Sequence, residues 1–361
     1  MANLFQSFDL SGLRLTNRMV MAPMTRNRAD KNGVVTPMMV THYQQRASAG
    51  LIIAESSPIS TQGVGYPYTP GIYTADQVDG WRKLTHAVHQ AGGKIFIQLQ
   101  HCGRISHPDL QPDKKAPVSA SAIKPIGQAV TYEGHKDFAL PRALKTSEIP
   151  KIVEQFGFAA QMAKEAGFDG VEVHGANGYL IDQFLRDGTN HRNDLYGGNI
   201  ENRMRLLNEI IDSVMETWPS NRIGVRLTPE NSFNSMSDSN PQENFEYVLE
   251  QLSNRNIAYV HILEGDMMKK ERTVNYPALR ECFKGVYIAN NGYNLELAQK
   301  SLKSNNADLI AFGTPFLANP DLVYRLKQGI SLNQADHSTF YGGDEKGYTD
   351  YPFASTQVEN Q

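Results

Sequence analysis

The sequence predicts an α/β fold, a (β/α)8 TIM barrel, on three observations. Eight short apolar runs recur along the 361 residues, longer runs with helical spacing separate them, and no GxGxxG fingerprint follows any of the eight. The first two fit strands alternating with crossover helices. The third weighs against the runner-up, an open doubly wound sheet built around a dinucleotide. The strand candidates are 18–22 (RMVMA), 51–55 (LIIAE), 94–99 (KIFIQL), 170–174 (GVEVH), 222–227 (RIGVRL), 258–263 (AYVHIL), 285–289 (GVYIA) and 308–312 (DLIAF). They are almost continuously apolar, the pattern of parallel strands covered on both faces.

The helix candidates follow from caps and stripes. Ser147 can cap a helix through Ala166, with Ile149, Ile152, Val153, Phe156, Ala160 and Ala163 on one face and Pro150 in the first turn. Asn199 can cap the next, striped by Ile200, Met204, Leu207, Ile211, Val214 and Trp218. Stretches 76–90, 240–252, 294–301 and 319–327 read alike, and Gly92, Gly167 and Gly329 fit helical stops. Long insertions at 101–146 after strand three and 174–199 after strand four break the rhythm, as active-site loops do. The Tyr- and Gly-rich tail from Asp336 reads as an ordered flap. No low-complexity linker interrupts the chain, so one domain over 1–361 is expected.

Composition narrows the function classes. With 35 Lys+Arg against 38 Asp+Glu the net charge is −3, which excludes the basic excess of a general nucleic-acid or anionic-membrane binder. Cys102 and Cys282 form neither a CxxC pair nor a disulfide framework. No run approaches the length of a membrane-spanning helix, and MANLFQSFDLSGLRLTNR lacks the pattern of a signal peptide, so a cytoplasmic location is expected. His86 with His89, and His101 with His107 beside Cys102, lack an accompanying carboxylate motif, so no metal is expected. Cys102 reads as a packed thiol.

Polar residues gather where the apolar runs stop. Run one leads into Ala22-Pro23-Met24-Thr25 and run two into Glu55-Ser56. Run three carries Gln98, Gln100 and His101. Run four ends at His174 and continues through Asn177 to Tyr179. Runs five to eight supply Arg226 and Thr228, Glu264, Asn290-Asn291-Gly292, and Gly313-Thr314. In a barrel all eight ends share one rim, so these side chains converge. The glycines after runs seven and eight, each before a helix, suit a phosphate held by backbone N–H groups.

These residues carry a resemblance to the old yellow enzyme family of FMN-dependent ene-reductases. It runs through APMTR (22–26), PGIYT (70–74), GGKIFIQL (92–99), HGANGYLIDQFLRDGTNHRND (174–194), YGGNIENRMRLL (196–207), FGTPFLANPDL (312–322) and YTDYP (348–352). The resemblance implies FMN as cofactor across the barrel mouth. Thr25 would bond the flavin carbonyl beside N5, Gln98 the pyrimidine edge, and Arg226 the N1/C2-carbonyl region where reduction places negative charge. Ala22, Pro23, Met24 and Ser56 would wall the ring, and the loops with Asn291, Gly292, Gly313 and Thr314 would take the phosphate. His174 and Asn177 would grip the carbonyl oxygen of an activated alkene while hydride leaves flavin N5 for its β-carbon. Tyr179 would protonate the α-carbon. Tyr68, Gln100 and Tyr351 would line the substrate pocket. NADPH or NADH would supply the hydride in a ping-pong cycle, to small electron-poor alkenes such as enones, maleimides and nitroalkenes, in a monomer or weak homodimer.

Two departures from the family pattern stand out. Thr314 occupies the place where many members carry an Arg for the phosphate, so looser FMN is expected, with backbone amides or a basic residue such as Arg325 compensating. Gln100 replaces the Trp of QLWH, which implies a wider pocket. Two other classes remain at this point: a non-redox lyase or isomerase of a phosphorylated substrate, and a non-catalytic flavin-binding protein. Thr25, Gln98 and Arg226 have no purpose in the first, which would also want a rim Lys.

Overall fold

The computed structural model describes residues 3–354. The ends of the expected domain, residues 1–2 and 355–361, lie outside the described residues. Eight parallel strands close into a barrel: β1 (Met19–Met21), β2 (Leu51–Pro58), β3 (Ile95–Gln100), β4 (Gly170–Gly175), β5 (Ile223–Leu227), β6 (Tyr259–Leu263), β7 (Val286–Asn290) and β8 (Leu309–Phe312). Each lies on one of the eight apolar runs. β8 pairs with β1, and β4 with β3, so the sheet has no free edge. The covering helices alternate with the strands: α1 (Pro37–Gln45), α2 (Ala75–Gln90), α3 (Ile149–Glu165), α4 (Arg205–Met215), α5 (Pro241–Asn254), α6 (Tyr276–Cys282), α7 (Leu295–Lys303) and α8 (Leu322–Gln328). Among the described residues no helix is long and apolar enough to cross a membrane.

Several helix expectations need correction. Ser147 does not cap α3: residues Thr146–Glu148 form a 3-10 turn, α3 starts at Ile149, and no side chain caps it. Asn199 does cap, but its helix is broken at Met204 into Ile200–Arg203 and α4. The stretch 319–327 starts as a turn between two short helices, Thr314–Ala318 and α8. Asn319 is drawn off by its own bonds, donating to Pro315 O at 2.9 Å and accepting from Asn333 N–H at 2.7 Å. As far as residue 354 the tail is an ordered flap: Tyr348 is fully buried, its ring stacked on His42 and covered by the Arg26 and Arg28 guanidiniums, which also hold the Phe340, Asp344 and Gly347 carbonyls.

The alternation of strand side chains sorts two cores. Outward residues such as Ile52, Ile97, Val171, Val173, Val225 and Val260 pack on the helices. Inward residues Val20, Leu51, Ile53, Phe96, Tyr259, Ile288 and Leu309 fill the barrel, plugged at its base by Leu10 and Leu15 of an N-terminal hairpin (Phe8–Leu10, Leu13–Leu15). Two bulky rings fit there because the neighbouring strand carries glycine at the paired position. A Cβ on Gly224 would stand 2.2 Å from the Tyr259 ring, and one on Gly170 2.3 Å from Phe96. Gly224→Ala is therefore expected to destabilise the chain by about 1–3 kcal/mol, the cost of an overpacked core. Combining it with Tyr259→Ala should recover part of the loss. Thermal unfolding of both singles and the double checks this through the non-additivity.

Candidate active site

Above the apolar filling, the inward positions of β3 to β6 turn polar. Register sets Gln98 beside Glu172, His174 beside Arg226, and Arg226 beside His261. Glu172 and His261 are fully buried. A carboxylate accepts only, so it fixes its partners' orientation: the Gln98 Nε2 amide donates at 2.6 Å, and His261 presents the protonated Nδ1 at 3.0 Å. Gln98 Oε1 accepts from the Ser56 hydroxyl. Ser56 is aimed by a bulge in β2 between Ala54 and Ser57. Burial keeps His261 neutral against the pull of Glu172, leaving its Nε2 buried without a partner.

Arg226 is 5 % exposed and its contacts are neutral: Nη2 donates to Asn290 Oδ1 at 3.1 Å and Nη1 to Pro23 O at 3.5 Å, while Nε has no partner. Burial lowers its pKa, opposed first by the Glu172 charge; a guanidinium stays charged regardless. This is a buried cation beside a site, without a carboxylate in contact.

β4 ends in a tight turn. Asn177 and Gly178 both take positive φ, +57° and +77°. The Asn177 N–H donates to Thr228 Oγ1 at 2.9 Å, and its carbonyl accepts from Asn234 Nδ2 at 2.8 Å. The turn brings His174 and Tyr179 into contact, with Asn177 between them in the chain. The His174 ring meets Tyr179 edge-on at 5.1 Å, and His174 Nδ1 is buried without a partner. Burial, then the Arg226 charge, drive the His174 pKa well below its usual value, so the ring is neutral. Tyr179 precedes a short helix (Leu180–Leu185), and its hydroxyl lies 3.0 Å from that of Tyr66. Burial, then Tyr66, push its pKa well above 10, so it holds its proton at neutral pH.

Tyr66 was not singled out from the sequence; Tyr68, two residues on, was. The structure turns Tyr68 outward on a positive φ of +55°, 42 % exposed and edge-on to Tyr132 at 5.2 Å. Tyr351 accepts from the Asp336 N–H at 3.0 Å, inside the tail. Neither joins the Tyr66–Tyr179 pair. Gln100 is buried, its Nε2 donating to Cys102 Sγ at 2.9 Å. Burial raises the Cys102 thiol pKa, as expected of a packed thiol.

The flavin-wall candidates follow β1. Ala22 extends the ladder to Phe312 O at 3.0 Å, and Pro23, Met24 and half-buried Thr25 lead to the clamp at Arg26. Beyond β7 and β8, Gly292 is open: a Cβ there would have Arg272 Nη2 as its nearest neighbour, at 4.0 Å. At Gly313 the nearest atom is Met24 Sδ at 3.5 Å. Thr314 is exposed at the first position of its helix. Arg325 cannot compensate for it and that expectation is corrected: its guanidinium is spent on Asp321, Ser331 O and Pro352 O at 2.7–2.8 Å and is buried. The cation at these loops is Arg272, which bonds Asn291 O at 2.7 Å and Glu264 Oε2 at 3.1 Å. It lies in the loop after β6, beyond the reach of strand-end reasoning.

The donor set fits FMN. A buried guanidinium with only neutral groups in contact suits the ring position that gains negative charge, an oriented amide suits a pyrimidine edge, and open glycine loops beside a cation suit a phosphate. A model of the NADH:flavin oxidoreductase / NADH oxidase family matches residues 3–333. A protein of Leishmania infantum described as a probable flavin mononucleotide-dependent alkene reductase is 44% identical over 349 residues, covering 95% of each chain. The 12-oxophytodienoate reductase 1 of Oryza sativa subsp. japonica is 42% identical over 359 residues, covering 97% of this chain and 93% of its own. Among solved structures, morphinone reductase in complex with tetrahydroNAD superposes with a TM-score of 0.94 at 46% identity, covering 98% of both chains. The old yellow enzyme homologue of Zymomonas mobilis gives 0.94 at 43%, covering 97% of this chain and 99% of that one.

Replacing Glu172 tests the polar layer. Glu172→Ala strands the Gln98 amide and the His261 N–H in the barrel, at about 1–3 kcal/mol for each lost acceptor. Glu172→Gln keeps one acceptor and should lose less. Denaturant unfolding of the two variants compares them.

Proposed function

The chain belongs to the NADH:flavin oxidoreductase / NADH oxidase family, and on that premise we propose that this FMN-dependent enzyme reduces the C=C bond of α,β-unsaturated carbonyls, maleimides and nitroalkenes. A non-redox lyase is thereby set aside. When bound, FMN would supply the two-electron redox chemistry that links NADH or NADPH to the alkene. The protein's part is orientation, charge and a proton. Arg226 would meet the pyrimidine side of the ring with a charge that has no carboxylate in contact, Gln98 would present the amide that Glu172 has oriented, and Thr25 would offer its hydroxyl beside N5. Ala22, Pro23, Met24 and Ser56 would wall the ring. Asn291, Gly292, Gly313 and Thr314 would receive the phosphate, with Arg272 the nearby cation.

His174 and Asn177 hold the acceptor's oxygen. As the β-carbon gains hydride, negative charge moves to that oxygen, so two fixed neutral donors stabilise the transition state more than the ground state. Tyr179 protonates the α-carbon. The observation that carries this reading is the grouping of neutral His174, Asn177 and a proton-holding Tyr179 at the end of β4, next to Arg226. Tyr66 is assigned to the border of the substrate space, and Tyr68, Gln100 and Tyr351 to its further lining. The enzyme works in the cytoplasm as a monomer or weak homodimer.

The purified chain should be yellow with FMN, bleach anaerobically with NADH or NADPH, and regain colour with 2-cyclohexenone. A colourless chain that takes up no FMN overturns the reading. Tyr179→Phe should leave bleaching by the nicotinamide nearly intact and slow recovery with enone by about 100-fold or more; equal slowing of both half-reactions removes Tyr179 as the proton donor.

The buried pKa values set the pH dependence. The His174 pKa is lowered, so the ring is already neutral on the acid side of its usual 6.5. The Tyr179 pKa is raised, so its proton stays on well past pH 10. Affinity for a phenol bound as phenolate should therefore climb toward the phenol's own pKa with no inflection near 6.5, as read by absorbance titration from pH 5.5 to 8.5.

A further inference from the structure

The reading above needs Asn177 to offer its amide nitrogen, not its oxygen, to the acceptor, and a primary amide is free to present either. We propose that Asn231, in the loop after β5, is the positioning residue that sets this polarity. The chain of bonds begins at a group that can only donate. The backbone N–H of Phe233 points to Asn231 Oδ1 at 3.4 Å. That commits Asn231 to turn its nitrogen the other way, where Nδ2 donates to Asn177 Oδ1 at 3.3 Å. With Oδ1 taken, Asn177 keeps Nδ2 for the acceptor, and that nitrogen has no partner among the described residues.

The rest of the loop holds both amides in place. Asn231 is 1 % exposed, and its carbonyl accepts from Arg186 Nη1 at 2.6 Å. The Asn177 backbone is fixed at both ends, by Thr228 Oγ1 and Asn234 Nδ2. Thr228 in turn donates to buried Asp182 at 3.3 Å, which also accepts from Gly178 N–H at 2.8 Å. Only the Asn177 side-chain torsion is left, and Asn231 settles it. Residue 231 touches neither cofactor nor acceptor in this arrangement; it acts through Asn177.

This inference rests on the assignment of Asn177 as a grip on the acceptor's oxygen, and the test separates the two. The probe is 4-hydroxybenzaldehyde, titrated into the FMN-loaded enzyme and read by flavin absorbance, so that binding is measured without turnover. Asn177→Ala tests the assignment itself and should weaken binding about tenfold. Asn231→Asp tests the inference: a carboxylate has no hydrogen to give, so Asn177 must turn its nitrogen to residue 231 and its oxygen to the ligand, and binding should weaken by tenfold or more. Made in the Asn177→Ala background, the same substitution should change binding less than twofold. Equal weakening in both backgrounds would mean that the added charge acts directly on the phenolate, and no weakening in either would mean that Asn231 sets nothing; both results overturn the proposal. Should Asn231→Asp fail to take up FMN, Asn231→Ala gives the same comparison, with about a threefold loss expected only when Asn177 is present.

Discussion

A carboxylate inside a closed barrel is the constraint on which the site depends. Glu172 has no solvent to turn to, so its oxygens must be met by donors, and the neighbouring strands supply them in Gln98 and His261. Burying a charge without such partners is costly enough that the group would neutralise instead. Once met, the carboxylate dictates direction: the amide of Gln98 and the tautomer of His261 both follow from it. Its charge also acts on Arg226 from the adjacent strand, which helps a guanidinium stay buried with only neutral groups in contact. The polar rim is thus held from below by side chains that do not themselves face the mouth.

The barrel divides this work by depth. Lower inward positions are filled by rings and branched side chains, made possible by the missing Cβ atoms at Gly170 and Gly224. The upper layer has the same alternation but polar occupants. A rigid lower layer matters because the upper one works by orientation, and an amide or imidazole turned the wrong way offers a lone pair where a hydrogen is needed.

How much of this the sequence discloses depends on whether a side chain's direction has a period. Along strands it does. All eight runs lie on strands, and the rim residues Gln98, His174 and Arg226 converge because every second residue must face inward. Asn177 and Tyr179 were legible through the motif that contains them. In loops there is no such period. Tyr66 and Tyr68 flank Pro67 with equal claims on paper, and the positive φ at Tyr68 sends that ring to solvent while Tyr66 meets Tyr179. Arg325 has the charge to serve a phosphate, but Asp321 and two carbonyls consume it; Arg272 arrives from a different loop. The Ser147 cap fails for a related reason: it has the right chemistry, yet a 3-10 turn occupies the place where it would act.

The same distinction explains why neutral groups, and not charged ones, stand at the end of β4. An imidazolium would grip an enolate more strongly than an imidazole, but it would grip a phenolate or any other bound anion too, and it would repel Arg226 beside it in register. Burial and that repulsion act together to hold His174 neutral. A neutral donor gains most when charge develops on its partner and little before, so on the proposed reading the Arg226 charge one strand away, by helping to keep His174 neutral, would sharpen selectivity for the transition state. Arg226 would then serve the ring that must hold electrons, and the acceptor would be left to dipoles whose direction is set by bonds behind them.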